Sequence, residues 1–341
     1  VKIFSTHDGA GCGYYRVVVP LTELSKHGHS VTLLDQKERV PRADDYLEGG
    51  WDLVVGQRLS NYDGMMLWRK TRLRGSKIVY ELDDDIWNVT QENFMAYTVY
   101  QDAALREAVK GYMEISDLVT TTTPYLAEVF SEWNPDVEVL PNCIPGWVLD
   151  LPRMNEGEPP GGRRPRIGWV GGASHGRDIH AASPAVRRFM KRNPGWDLYL
   201  GGSDYRSAFK VPFNRTIYAP WKQVNHDPAG FYSSYDFEIG ICPLLATRFA
   251  RSKSAVKALE MTARGIPVVA TDIEAYQGFI THGVNGFLAK TDHEWLRYLN
   301  ELANDGSLRY RMAQDARRMA GAYTIENRWE DWARAYGKLL A

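Results

Sequence analysis

At 341 residues, with 44% hydrophobic and 24% charged side chains, the chain has the size of two globular domains and lacks the composition of a disordered or fibrous protein. Lys and Arg number 41 against 42 Asp and Glu, so a net charge of −1 provides no global attraction to nucleic acid or acidic membranes. Cys12, Cys143 and Cys242 form no CxxC pair, which argues against a disulfide framework or a zinc site.

A reducing, cytoplasmic setting is expected from those cysteines, and the strand-like start VKIFST is read as lacking a signal peptide. No apolar run reaches the ~20 residues of a bilayer span, so no stable membrane insertion is expected. Short β-branched runs then alternate with amphipathic stretches, the pattern of parallel sheets covered by helices. Strands are predicted at 1–5, 30–34, 53–55, 77–82, 118–121 and 137–140, with helices at 14–27 and 124–133. Thr123 is the predicted N-cap of the second helix, and Pro124 its first residue.

The pattern stops in the Pro- and Gly-rich segment 146–165, which reads as an interdomain linker. It restarts with strands at 166–170, 196–200, 216–218, 237–242, 268–271 and 286–289. Helices are predicted at 183–193, 253–264, 295–303 and 308–323, and a last one at 326–340 carries Trp329, Trp332 and Tyr336 at helical spacing. The organisation expected is an N-terminal Rossmann-like domain over 1–145, a linker over 146–165 and a C-terminal Rossmann-like domain over 166–322. A final helix, 323–341, crosses back to the first domain. Open α/β sheets bind ligands in loops at the carboxyl ends of their strands, so function is sought there.

In the helix predicted at 253–264, Lys257, Glu260 and Arg264 fall within about 40° of Lys253, opposite Val256, Leu259 and Ala263. Ser252 is the expected N-cap, which places the positive end of the helix dipole beside Lys253. Such a start suits a diphosphate, and Glu260 suits ribose hydroxyls; a solvated face with i,i+4 charge pairs is the plain alternative. In IGWVGGASHGRDI, Gly171 and Gly172 allow phosphate to approach backbone N–H groups, with His175 and Arg177 as further donors.

In the first half, HDGAGCGYYR follows a strand; Gly11, Gly13, Tyr14 and Arg16 are candidates for an acceptor or phosphate loop. Its glycine spacing is not the dinucleotide fingerprint, yet Asp35 ends the second strand where a ribose-binding acid would sit, so a nicotinamide oxidoreductase is the alternative. YELDDDIW sets Asp83, Asp84 and Asp85 at a strand end, where adjacent carboxylates repel and invite a functional reading. Trp221, after a strand, is a candidate to stack on a nucleobase.

The segment LEMTARGIPVVATD followed by ITHGVNGFL resembles the C-terminal signature of GT-B glycosyltransferases of retaining family 4. Lys253, Ser254, Lys257 and Glu260 resemble a subset reading Lys-Ser-x-x-Lys-x-x-Glu. The resemblance implies two Rossmann-like domains facing each other across a cleft, and Glu260 on the donor ribose. Gly172 and Arg177 stand where relatives place an Arg and a Lys on the diphosphate. One positive charge is therefore missing, and Lys253 or Lys257 would replace it.

The implied reaction moves a sugar from a nucleoside diphosphate sugar to an acceptor hydroxyl, with retention of configuration. No essential metal or other cofactor is expected. Asp83, Asp84, Asp85, Lys253 and Lys257 form the expected catalytic set; Gly171, Gly172, His175, Arg177, Trp221 and Glu260 join the lysines at the donor. The acceptor would be a glycan, a lipid carrier, a protein or a modified nucleic-acid base. A GT-B nucleotide-sugar epimerase and a non-catalytic sugar-binding module are further alternatives.

Overall fold

The computed structural model describes residues 1–9, 11–91 and 93–341. The chain divides into two compact units. Unit 1 comprises Val1–Pro145, Ser252–Ser254 and Thr324–Ala341; unit 2 comprises Gly146–Arg251 and Ala255–Tyr323.

Unit 1 is built on six parallel strands: β1 (Lys2–His7), β2 (Ser30–Asp35), β3 (Leu53–Gln57), β4 (Lys77–Glu81), β5 (Leu118–Thr121) and β6 (Val137–Val139). Their order is β2-β1-β3-β4-β5-β6. β3 is buried at every position while the edge strand β2 is largely half-exposed, as expected of central and outer strands in a helix-covered parallel sheet. Phe4, Val54, Ile78, Tyr80 and Val119 pack with Trp68 and Tyr112 from the helices Tyr62–Leu73 and Ala103–Ile115. The Thr123 hydroxyl accepts from Leu126 N at 3.2 Å and Pro124 opens the helix, as the sequence predicts. The closing helix Trp329–Leu340 buries Trp332 and Tyr336, and the Trp329 ring stacks on His27 at 3.7 Å.

Unit 2 repeats the plan with β7 (Arg166–Gly171), β8 (Asp197–Gly202), β9 (Thr216–Pro220), β10 (Ile239–Cys242), β11 (Val268–Thr271) and β12 (Gly286–Ala289). The order is β12-β11-β10-β7-β8-β9, again all parallel. The predicted α/β class with two Rossmann-like sheets is therefore the observed one. The Pro- and Gly-rich segment 146–165 is docked on unit 2: Met154 N donates to Arg264 O at 2.8 Å, and Arg163 pairs with Asp236 and Glu238.

Two helices differ from expectation. The helix predicted from residue 183 begins at Gly176 and runs to Arg192 with Pro184 inside it. Pro184 has no N–H to give, and the Ser183 hydroxyl donates to His180 O instead, at 3.0 Å. The helix predicted from Lys253 is Val256–Ala263, and no side chain caps it. Ser252 is therefore not its N-cap. The preceding residues are held in unit 1, where Lys253 pairs with Asp84 and Ser254 Oγ accepts from Asn142 at 2.8 Å. The helix stops at Gly265, whose φ of +69° lets Ile266 N turn back to Met261 O.

Strand order reverses once in each sheet, between β1 and β3 in unit 1 and between β7 and β10 in unit 2. Ligand crevices open at such points, outside the carboxyl ends of the strands.

Candidate functional site

In unit 2, β7 delivers Gly171 to the switch point, and the helix Val256–Ala263 delivers Lys257. The Lys257 ammonium donates to Val170 O at 2.9 Å and lies 5.3 Å over the Trp169 ring. A Cβ on Gly171 would stand 2.4 Å from Trp169 and 2.8 Å from Lys257 Nζ, so only glycine fits between them. Gly172 follows with no such obstruction and opens the turn Ala173–His175. His175 Nδ1 meets Asp178 Oδ2 at 2.8 Å, while Arg177 stands exposed in the first turn of the helix that follows.

Glu260 lies on the helix that carries Lys257, but it is only 6% exposed, and the Tyr235 hydroxyl donates to its Oε2 at 2.6 Å. Burial and the neighbouring Glu260 charge drive the Tyr235 phenol well above its usual range, which keeps it a proton donor. Arg264 is also buried and donates to Pro152 O and Tyr232 O, so the polar side of this helix faces protein rather than solvent. Trp221, after β9, is 48% exposed and packs edge-on against Phe231 at 6.2 Å.

In unit 1 the loops after β1, β3 and β4 converge on a residue that the sequence reading missed, Arg58. Its Nε donates to Asp83 Oδ1 at 2.8 Å and its Nη2 to Asp84 Oδ2 at 2.6 Å; Asp8 stands 3.7 Å away. Arg58 has φ of +53°, a backbone conformation that a non-glycine side chain adopts only under constraint. Lys253 holds the other oxygen of Asp84. Burial opposes the ionisation of Asp83, but the charges of Arg58, Lys253 and Arg16 and the Cys12 hydrogen bond together outweigh it and keep the carboxyl below the usual range. Burial pushes the thiol of nearby Cys12 well up, so it stays protonated.

Three expected site residues of unit 1 turn inward. Arg16 is 2% exposed; it pairs with Glu81 at 2.7 Å and also donates to Thr121 O and Leu140 O, so its guanidinium is spent on joining strand ends. Tyr14 is 5% exposed and packs edge-on against Tyr15. Asp85 is fully buried and accepts from Asn88 Nδ2 at 2.8 Å and the Tyr125 hydroxyl at 3.0 Å, which ties down the acidic turn. Gly13 N donates to Asp8 Oδ1 at 3.0 Å, so the glycine loop is braced by the carboxylate that faces Arg58, and Gly11 stands at its half-exposed rim. Residue 10 of this loop lies outside the described residues. Asp35 lies against Gly9 and accepts from Lys37 N at 2.8 Å.

Residues 242–319, which carry Lys253, Lys257 and Glu260, match the family described as glycosyl transferases group 1. That segment, less than half of the chain, is similar to glycosyltransferases of this group. The solved structure of HepE from Anabaena in complex with UDP and glucose is 14% identical, with a TM-score of 0.71 over 99% of this chain and 99% of that one. Sucrose-phosphate synthase from Thermosynechococcus elongatus is 13% identical, with a TM-score of 0.66 over 99% and 98%. No curated protein sequence matches the chain at a significant level. These likenesses establish the fold, and with the domain match they make the chain an enzyme of the glycosyltransferase class; the nicotinamide alternative is not favoured.

Among the described residues no helix is long and apolar enough to cross a membrane, and no three His, Cys, Asp or Glu side chains converge as metal ligands.

Proposed function

We propose that the enzyme transfers a sugar from a nucleoside diphosphate sugar to an acceptor hydroxyl, with retention and without a catalytic metal, in the cytoplasm. The observation that carries this reading is the placement of Lys257. Its ammonium is fixed against the end of β7 beside Gly171, at the switch point, within the segment that matches the glycosyltransferase family. A cation there stabilises the negative charge that grows on the departing diphosphate, the task for which other enzymes recruit a metal. The Gly172 turn supplies backbone N–H groups, Glu260 takes the ribose and Trp221 stacks on the base. The complexes of HepE with UDP and with UDP-glucose make uridine the first base to try.

Unit 1 serves the acceptor in this proposal, through Asp83 and Asp84 held by Arg58 and Lys253. The acceptor hydroxyl belongs to a glycan, a lipid carrier, a protein or a modified nucleic-acid base. A thermal-shift screen of UDP, GDP, ADP and their sugars tests the donor side. A diphosphate at 100 times its Kd stabilises the protein by about 2.7 kcal/mol. Absence of any shift across the panel refutes the proposal.

A further inference from the structure

The sequence marks His175 as a donor-site residue and gives Asp178 no part. Asp178 lies in the first turn of the helix Gly176–Arg192 and is 9% exposed. Its two oxygens point to different loops. Oδ2 meets His175 Nδ1, from the loop after β7, at 2.8 Å, and Oδ1 accepts Leu245 N, from the loop after β10, at 2.8 Å. β7 and β10 are the strands between which the order of this sheet reverses. One carboxylate thus joins the two walls of the crevice. The neighbouring Leu244 N is tied to Thr271 Oγ1 at 3.0 Å, so the second wall is anchored to β11 as well.

An ionised carboxylate only accepts, so Nδ1 of His175 must carry the proton, and the pairing directs Nε2 away from Asp178. The loop that holds the ring is fixed too. The Tyr205 hydroxyl donates to Ala173 O at 2.8 Å, and Trp169 meets the imidazole edge-on at 6.0 Å. Resting on the donor reading above, we propose that Asp178 is a positioning residue. It fixes His175 and favours its imidazolium form, so that Nε2–H donates to an oxygen of the diphosphate. It also locks the loop carrying Leu245 to the same wall.

The other charged and titratable groups about this point are Arg177 on the same helix, Lys257 over Trp169, Tyr205, and Tyr276, which interacts electrostatically with Asp178. Lys257 opposes the imidazolium and Asp178 favours it; the tyrosines stay neutral over the pH range of a histidine.

The test is calorimetry of UDP binding between about pH 5.5 and 8.5 on the wild type, Asp178→Asn, His175→Gln and the double variant. The wild type should lose affinity as pH rises through the His175 pKa. Asp178→Asn should move that midpoint down by about one unit and weaken binding about 10-fold at neutral pH. His175→Gln should leave only the pH dependence of the UDP phosphate itself, which ionises at about pH 6, and Asp178→Asn should add little in that background. Imidazole nitrogen NMR of the wild type, which needs no variant to fold, should show a proton on Nδ1. Tight but pH-independent binding, a proton on Nε2 alone, or an Asp178→Asn effect undiminished without His175 would overturn the inference and leave the donor reading standing. Failure of the wild type to bind any nucleoside diphosphate would instead remove the donor reading itself.

Discussion

Arg58 grips Asp83 through one carboxylate oxygen, with Nε at 2.8 Å and Nη2 at 2.6 Å. Burial pushes the Asp83 carboxyl up, and the grip, with Cys12, Lys253 and Arg16, brings it below its usual range. A depressed carboxylate pKa contributes stability that is fully present above the unfolded value, about 3.9, and is lost as pH falls through the folded one. Arg58→Gln should therefore move the acid-unfolding midpoint to higher pH, read by circular dichroism along a pH series. An unmoved midpoint would mean that Asp83 gains nothing from this partner.

Asp84 lies between Arg58 and Lys253. Asp84→Asn keeps the shape and removes the charge. If the carboxylate orients the acceptor hydroxyl, transfer should fall by about 10²–10⁴-fold while calorimetry shows nearly unchanged UDP binding. Parallel loss of nucleotide affinity and turnover would move Asp84 to the donor; parallel loss of thermal stability and transfer would reduce it to a turn residue.

Glu260→Gln should weaken UDP and UDP-sugar alike, by about 1.5–3 kcal/mol, because both carry the ribose. Tyr235→Phe removes the donor that orients Glu260 and should weaken both in the same direction by less. Unchanged affinity for both ligands in a folded Glu260→Gln protein would discard the ribose contact.

Gly171→Ala places a methyl group 2.8 Å from Lys257 Nζ and 2.4 Å from Trp169. The ammonium must move away from Val170 O, so UDP affinity should drop by about 10-fold or more while the unfolding midpoint shifts modestly. Wild-type affinity in this variant would show that Lys257 is not needed at that spot.

In the proposed reaction transfer should persist in EDTA, because Lys257 and the Gly172 turn take the place of a metal there. Activity lost in EDTA and restored by manganese would overturn this expectation and make Asp83 and Asp85 candidate metal ligands.

The strands were legible because buried parallel strands read as short β-branched runs closed by turn residues, as in Val268–Thr271 after Gly265 and Pro267. The proposed donor side was legible in part because Lys257, Glu260 and Gly265 lie within ten residues of each other. Arg58 was not, since its importance comes from a left-handed turn and from carboxylates about 25 and 50 residues away that only the sheet gathers. The inward turn of Arg16 and Asp85 was hidden for the same reason. Their partners Glu81 and Tyr125 lie 65 and 40 residues away, and nothing local shows that these side chains turn inward. Lys253 keeps its helical spacing in the sequence but gives up the helix for an ion pair with Asp84.

The helix Trp329–Leu340 packs Trp332 and Tyr336 into unit 1 and stacks Trp329 on His27, yet the ribosome makes it after all of unit 2. Between Pro145 and Thr324 lies a stretch of synthesis lasting on the order of 10–40 s at about 5–20 residues per second. During that time the first sheet exists without the aromatic side chains that complete its packing, whereas unit 2 needs nothing beyond Tyr323. The later unit is thus free to finish folding first, and the earlier one is sealed only when this helix has emerged.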